Sequence, residues 1–294
     1  MAVRTNKKSC FFLVDNSKTP RKVFFKRVMS LSVFNIDLAG HRPKVPSEIK
    51  AFYQAPNGTI LKRMRTPRRP HRELEFYRLV FEDESTDPIL KELKNFLPKY
   101  LGTFQIDLFP DEYFIQLGDV THSFDRPCIA DIKIGRHTYH PTATPEKIEY
   151  EKLKYPKLPY IGFRIGFRVY RPCSEVYEFH DHKNLLNLEN AEILEKGLGS
   201  YFNLPEKLRK DAILAILAEL KEIRHWFELQ RTLSFYATSL LCVYEGNRPC
   251  ELHHSHVHGS HESNNTVGNK IADVQPCLHS TNNMCVCITG YKYK

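Results

Sequence analysis

The chain has 294 residues, 41% of them hydrophobic, and Lys and Arg outnumber Asp and Glu 43 to 34, for a formal net charge of +9. This composition suits one large domain or two lobes, and it lacks the run of about 18 apolar residues that spans a membrane. The basic surplus favours acidic partners such as nucleic acid, anionic lipid or polyphosphorylated small molecules.

The cell compartment is indicated by the cysteines and by the amino terminus. Eight cysteines are scattered without a repeating framework, which fits free thiols in a reducing compartment. Asp15 interrupts the first apolar run too early for a signal peptide. We therefore expect a soluble intracellular protein.

The amino-terminal half predicts short strands and two helices. Asn57-Gly58 lies between two strand-like runs and is a strong signal for a hairpin turn. Asp87-Pro88 has the form of a helix N-cap followed by a first-turn proline. The predicted elements are strands at 49–54 and 59–64, helices at 71–83 and from residue 87, and strands at 103–109 and 113–117.

The carboxy-terminal half predicts longer helices between buried strands. The predicted elements are a strand at 127–135, a helix from Thr144-Pro145 to Lys154, a strand at 161–169, a long helix opened by Asn203-Leu204-Pro205-Glu206 and a strand at 235–244. The long helix should bury its apolar residues Ile213, Leu214, Ile216, Leu217, Leu220, Ile223 and Phe227. The first half of the chain combines strands with few helices, and the second half combines strands with several helices. This order predicts an α+β fold of two lobes.

The run from Pro127 to Gly135 carries an acid and a base two residues apart. Because a strand alternates its faces at every residue, Asp131 and Lys133 should point to the same side and Ile132 to the other. A carboxylate can accept a proton from an attacking hydroxyl, and an ammonium can stabilise phosphate charge. The pair therefore suits phosphoryl transfer, although an ordinary salt bridge on a strand surface is the other interpretation.

Three segments together point to one family. The strand fits P-x-x-x-D-x-K-x-G, residues 72–77 read R-E-L-E-F-Y, and residues 239–241 read S-L-L. In these features, and over residues 38–246, the chain resembles the inositol polyphosphate kinase family and, in its spacing, the multikinase branch. The resemblance implies a two-lobed fold related to protein kinases and ATP-grasp enzymes. It also implies ATP with Mg²⁺, inositol polyphosphate or phosphoinositide lipid substrates, a monomer, and a nuclear and cytoplasmic location.

The resemblance also implies roles for individual side chains. These are Asp131 and Lys133 in catalysis; Lys62, Glu73, Asp119 and Ser239 in ATP binding; and Lys133, Lys147 and Lys154 in substrate binding. Other interpretations stay open: an exposed Lys62 in a basic cluster, Asp119 as a turn cap, Lys147 paired with Glu151 on a solvated face, and Ser239 as a core serine bonded to backbone.

The sequence also departs from the family pattern. Gly118 replaces a more usual acid, and Tyr150 and Glu151 stand where glutamines are usual, so the nucleotide and substrate contacts there should differ. The family's terminal strand ends in I-D-F, and its aspartate holds Mg²⁺. We find no such segment and assign no metal ligand, since Asp273 is the only aspartate after residue 246 and its neighbours do not match. We therefore expect an incomplete carboxy-terminal lobe.

Four segments organise the chain. They are a basic, flexible segment at 1–37, an amino-terminal lobe and hinge at 38–119, a carboxy-terminal lobe with inositol phosphate-binding helices at 120–246, and a disordered tail at 247–294 whose His and Cys residues lack zinc-site spacing. No Walker or H-R-D motif is present, which excludes P-loop enzymes and protein kinases by motif. An impaired relative that binds inositol phosphates without turnover is the main alternative to a kinase. A nucleic-acid binder is the second, although no known recognition motif supports a dedicated site.

Overall fold

A computed structural model describes residues 11–13, 32–33, 52–55, 57–64, 72–82, 87–106, 109–182, 190–203, 206–247 and 284–289. These residues form two antiparallel sheets and the helices that cover them. Among the helices described, none is both long and apolar enough to cross a membrane.

The first sheet has six strands in the order β1-β5-β6-β4-β3-β2. They are β1 (Phe11–Leu13), β2 (Ser32–Val33), β3 (Phe52–Ala55), β4 (Thr59–Met64), β5 (Tyr100–Ile106) and β6 (Phe109–Gly118). The predicted hairpin at Asn57-Gly58 is confirmed, with Gly58 at φ +72° in the conformation that glycine adopts without strain. The prediction of a flexible segment at 1–37 is wrong for β1 and β2, because they pair with β5 and β3.

Two helices follow the first hairpin. Helix α1 (Arg72–Phe81) buries Phe76, Tyr77 and Val80. Helix α2 (Pro88–Leu93) begins as predicted, since Asp87 accepts a hydrogen bond from the Ile89 amide at 2.8 Å and proline follows it. A short 3₁₀ turn at Lys94–Phe96 then leads into β5.

The second sheet has five strands in the order β11-β10-β7-β8-β9. They are β7 (Pro127–Ile134), β8 (Phe163–Arg171), β9 (Val176–His180), β10 (Ser239–Glu245) and β11 (Met284–Thr289). Between them lie α3 (Pro145–Lys154), α4 (Leu158–Ile161), α5 (Asn190–Glu192), a π-helical turn (Ile193–Gly199) and α6 (Lys210–Leu229). The α+β class is therefore confirmed.

The two faces of the second sheet have different environments. One face gives Ala130, Phe167 and Cys242 to the main core, together with Trp226 of α6. Trp226 also donates a hydrogen bond to the Ile89 carbonyl at 3.0 Å and so ties α6 to α2. On the opposite face a smaller apolar cluster occupies one end: Val120, Phe124, Ile129, Val243, Cys285 and Cys287. The other end of this opposite face carries Asp131 and Lys133, on a sheet that both cores hold in place.

Helix α6 differs from its prediction in start and in orientation. It begins at Lys210 and not directly after Asn203, which adopts φ +74°, outside the helical region. The helix buries Ala212, Ile216, Ile223 and Trp226. Leu214 and Leu217, which we expected in the core, are 69% and 46% exposed. The sequence pattern therefore predicted the helix, but it did not predict which face of the helix packs against the core.

Strand β11 corrects the prediction of a disordered tail. Met284–Thr289 pairs with β10 along its length, from Ser239 opposite Thr289 to Tyr244 opposite Met284. Residues 284–288 are buried. The prediction is therefore wrong for this segment, and the carboxy-terminal lobe has a terminal strand. Residues 248–283 and 290–294, including Asp273 and the histidine cluster, lie outside the described residues.

We predict that Ile288→Ala lowers the free energy of unfolding by about 2–5 kcal/mol, because the side chain is fully buried in the main core. Leu214→Ala is the matched control, and its cost should be within about 0.5 kcal/mol since this side chain is largely exposed. Urea denaturation measures both. An equally small effect of the two substitutions would contradict the packing of β11.

Candidate active site

Three predicted residues meet on one face of the second sheet. The Lys133 ammonium lies 3.2 Å from Asp131 Oδ2 and donates a hydrogen bond to Ser239 Oγ at 2.9 Å. Ser239 pairs directly with Lys133 across β10 and β7, which explains the contact. The Asp131 and Lys133 side chains are 14% and 28% exposed, so the pair lies in a recess rather than in open solvent.

One oxygen of the Asp131 carboxylate is left unpaired by the described residues. Asp131 Oδ1 is buried, and no described residue gives it a hydrogen bond. A buried carboxylate oxygen without a donor is costly, so such an atom usually meets a ligand or water. The carboxylate therefore keeps an unused acceptor that a hydroxyl could satisfy.

The predicted pair of Lys62 and Glu73 is formed between the first sheet and α1. The Lys62 ammonium lies 2.5 Å from Glu73 Oε1, and the side chains are 25% and 14% exposed. The same ammonium lies 5.9 Å from the centre of the Phe52 ring. Lys62 is thus held in one direction and is not a free surface lysine, and its ATP-binding role stays a prediction.

Asp119 has the contacts of a turn cap. It is 1% exposed, and its Oδ1 accepts hydrogen bonds from the Thr121 amide at 2.9 Å and hydroxyl at 2.7 Å. Its Oδ2 accepts one from Gln54 at 2.8 Å. These contacts match the capping interpretation, and the ATP-binding role of Asp119 stays a prediction.

The two predicted substrate lysines lie on one face of α3. The ammonium groups of Lys147 and Lys154 are 5.0 and 5.7 Å from the centre of the Tyr150 ring. Lys147 is paired with Glu151 at 2.6 Å, as in the solvated-face interpretation. Burial raises the pKa of Glu151, but hydrogen bonds from Lys147 and Thr138 outweigh it and keep that pKa below its usual value. Glu151 thus offsets the charge of Lys147, whereas Lys154 makes no ion pair with any described residue.

Two residues of the recess were missed by sequence reasoning. Arg164 on β8 lies directly opposite Lys133, and His182 follows β9. With Asp131, Lys133 and Gly166 they line one small recess. The alternation of strand 161–169 could have placed Arg164 on the face of Lys133, but nothing in the sequence indicates His182.

His182 is held in its neutral form. Burial, and next the positive charge of Arg164, lower its pKa to about 4 from its usual 6.5. Its Nδ1 lies 2.9 Å from Asp181 Oδ1, and its Nε2 lies 3.4 Å from the Tyr155 hydroxyl. Lys133 and Asp131 also act on it electrostatically, in opposite directions. The neutral ring therefore adds no positive charge to that of Lys133 and Arg164 in the recess.

The geometry defines an α+β protein in which cations from neighbouring strands surround a carboxylate that keeps one oxygen free. The model of the family "Inositol polyphosphate kinase" matches residues 114–285. The chain therefore belongs to the inositol polyphosphate kinase family.

Named relatives support the same family. The chain is 44% identical over 195 residues to the inositol polyphosphate multikinase of Mus musculus. The aligned segment covers 66% of this chain and 49% of the relative. It is 43% identical over 195 residues to that of Homo sapiens, covering 66% and 47%. The chain thus spans about half the length of the curated relatives it matches.

One solved structure with a related sequence is the crystal structure of an inositol phosphate multikinase from S. cerevisiae in complex with ADP and Mn²⁺. It is 24% identical, covers 64% of this chain and 75% of that chain, and has a TM-score of 0.49.

The described residues do not fit a resident magnesium site. They contain no group of three or more His, Cys, Asp or Glu side chains that could hold a metal ion. Asp131 is the carboxylate of the recess, and Lys133 already contacts one of its oxygens. The resemblance predicts an aspartate at the end of the terminal strand, but β11 ends in Ile288-Thr289. Thr289 pairs with Ser239 and so lies in the cross-strand row of Lys133, on the same face.

We predict that stability falls as the pH is lowered from about 6.5 to about 4, in part because of His182. The unfolded ring takes up a proton near its usual pKa of 6.5, whereas the folded ring resists protonation until about 4. The contribution is therefore complete above pH 6.5 and is lost towards pH 4. Urea denaturation at several pH values should show a weaker dependence in His182→Gln. The exposed His225→Gln is the control, and equal pH profiles in all three proteins would contradict the prediction.

Proposed function

We propose that this chain is an ATP-dependent kinase that phosphorylates hydroxyl groups of inositol polyphosphates. Membership of the family and 43–44% identity to named multikinases support the substrate class. The observation that carries the proposal is the free buried oxygen of Asp131 beside the Lys133 cation.

The recess supplies the groups for transfer to an alcohol. Asp131 accepts the proton, or a hydrogen bond, of the attacking inositol hydroxyl through its free Oδ1. Lys133 neutralises charge on the transferring phosphoryl group. Ser239 accepts a hydrogen bond from Lys133 and so fixes the direction of that ammonium.

The donor and the substrate bind through cations outside the recess. Lys62, extended by Glu73, holds the ATP phosphates, and Lys147 and Lys154 meet substrate phosphates. Mg²⁺ is the metal that the resemblance implies, but the donors of the described residues do not fit it. Phosphoinositide lipid as a substrate, the monomeric state, and the nuclear and cytoplasmic location are parts of the same proposal and stay predictions.

A second candidate is a relative that binds inositol phosphates with little or no turnover. The observation that favours it is that β11 carries no aspartate and ends in Ile288-Thr289, whereas the resemblance predicts an aspartate at the end of the terminal strand. The cations of the recess and of α3 would keep their affinity for phosphate without that carboxylate, because their positions depend on β7, β8 and α3.

We predict that Asp131→Asn lowers the rate of radiolabel transfer from ATP to inositol trisphosphate by about 100-fold or more, since the amide cannot take the hydroxyl proton. Asp125→Asn, an exposed acid before β7, is the matched control and should keep the wild-type rate. Thermal unfolding should remain near that of the wild type.

Unchanged transfer in Asp131→Asn would exclude the proposed role of this carboxylate. Absence of transfer in the wild-type protein, together with measurable binding of inositol trisphosphate, would favour the second candidate.

We predict that Thr289→Asp raises the affinity for Mn²⁺ or Mg²⁺ by about tenfold or more, because it adds a second carboxylate to the face that carries Asp131. Thr289→Asn is the isosteric neutral control. Calorimetric titration measures the affinity, and transfer assayed against magnesium concentration should rise in parallel. Equal metal affinity in the Asp and Asn variants would contradict this prediction.

A further inference from the structure

Arg164 is a cation of the recess whose charge is not paired with any described carboxylate. Its Nε and Nη1 atoms are excluded from solvent and receive no hydrogen-bond acceptor among the described residues. No described carboxylate lies within ion-pair distance of the guanidinium. Buried arginine donors are normally satisfied, so these two indicate a missing acceptor.

The orientation of Arg164 is fixed by its neighbours. The guanidinium carbon lies 4.0 Å from the centre of the Tyr155 ring, and Tyr155 is 3% exposed. Because His182 is neutral, its Nδ1 donates to Asp181, which leaves Nε2 to accept from the Tyr155 hydroxyl. A chain of contacts from Asp181 to Tyr155 therefore holds the surface on which the guanidinium lies.

The charge balance of the recess favours an anion. Asp131 and Lys133 offset each other at 3.2 Å, and His182 carries no charge near neutral pH. Among the side chains that line the recess, Arg164 therefore leaves a net positive charge, and the Asp181 carboxylate that pairs with His182 lies outside this lining and is 42% exposed. Since it lies opposite Lys133 in the sheet, one anion could contact both cations.

We propose that Arg164, supported by Tyr155 and His182, forms a subsite for a phosphate monoester of the acceptor substrate, next to the hydroxyl that Asp131 contacts. This inference rests on the proposed function and names a specificity-determining residue for it. A phosphate group suits the subsite because it brings about two negative charges and three acceptor oxygens, enough for Arg164 and Lys133 together. Arg164 thus selects acceptors that carry a phosphate beside the reacting hydroxyl.

The first test is binding without nucleotide. Isothermal titration with inositol trisphosphate should give a dissociation constant about 10- to 100-fold weaker for Arg164→Gln than for the wild type, the loss expected for hydrogen bonds to a charged group. Arg224→Gln, an exposed arginine on α6, is the matched control. Tyr155→Phe should keep most of the affinity because it keeps the ring, whereas Tyr155→Leu should weaken binding.

The second test separates this subsite from a merely structural arginine. In transfer assays Arg164→Gln should raise KM for inositol trisphosphate more than it lowers kcat, and it should reduce the preference for the trisphosphate over a bisphosphate. Arg164→Lys keeps the charge and should bind inositol trisphosphate more tightly than Arg164→Gln but more weakly than the wild type. If Arg164→Gln does not fold, Arg164→Lys is compared with the wild type in its place.

The outcomes distinguish the two proposals. Wild-type transfer with unchanged binding in Arg164→Gln would overturn the subsite and leave the kinase proposal intact. Binding that Arg164→Gln weakens, in a wild-type protein without transfer, would support the subsite and reject the kinase activity. A wild-type protein that does not bind inositol trisphosphate would overturn the subsite as well.

Discussion

The alternation of β7 is the constraint on which the site depends. This strand is central, with β10 on one side and β8 on the other, so its pairing is fixed along both edges. Cys128 and Ala130 are fully buried in the main core, and Asp131 and Lys133 must therefore share the opposite face. A slip of one residue would place both charges in the core and both small apolar residues in the recess. The register that buries the core is thus the register that presents the carboxylate and the ammonium.

The neighbouring strands decide what those charges meet. β10 brings Ser239 to Lys133, and β8 brings Arg164 to the other side of the same lysine. Ser239 orients the ammonium by accepting a hydrogen bond from it. Arg164 adds a second cation, which pairs with no described carboxylate. A salt bridge on an ordinary strand surface would be solvated and weak. Here the pair is recessed, and one carboxylate oxygen receives no hydrogen bond from the part of the chain that the structure describes, which separates this site from the ordinary case.

Signals in the sequence correctly predicted the turns and helix starts that are determined by neighbouring residues. Asn57-Gly58 sets its own turn, Asp87 caps α2, and Thr144 caps α3 by accepting from the Lys147 amide. The failures all depend on distant contacts. β11 joins the fold by pairing with β10 across a long intervening segment, and the packed face of α6 is chosen by the sheet beneath it. Strand alternation shows the side on which Arg164 lies, but only the register of β8 places it opposite Lys133. His182 is buried by its neighbours and has no signal of its own.

The main-core face of β11 packs in the interior, whereas Thr289 at its end lies in the cross-strand row of Ser239 and Lys133. Val286 and Ile288 belong to the main core, and their burial is what holds the strand beside β10. Thr289 lies on the other face, in the row of Ser239, where it takes no part in that core. A substitution at residue 289 should therefore cost the fold little, whereas it changes the chemistry of the polar face. The proposed phosphate contacts involve Lys133, Arg164 and the lysines of α3, and their positions depend on β7, β8 and α3 rather than on residue 289. The proposed anion-binding groups and the end of β11 are thus structurally separable, because different residues hold each of them in place.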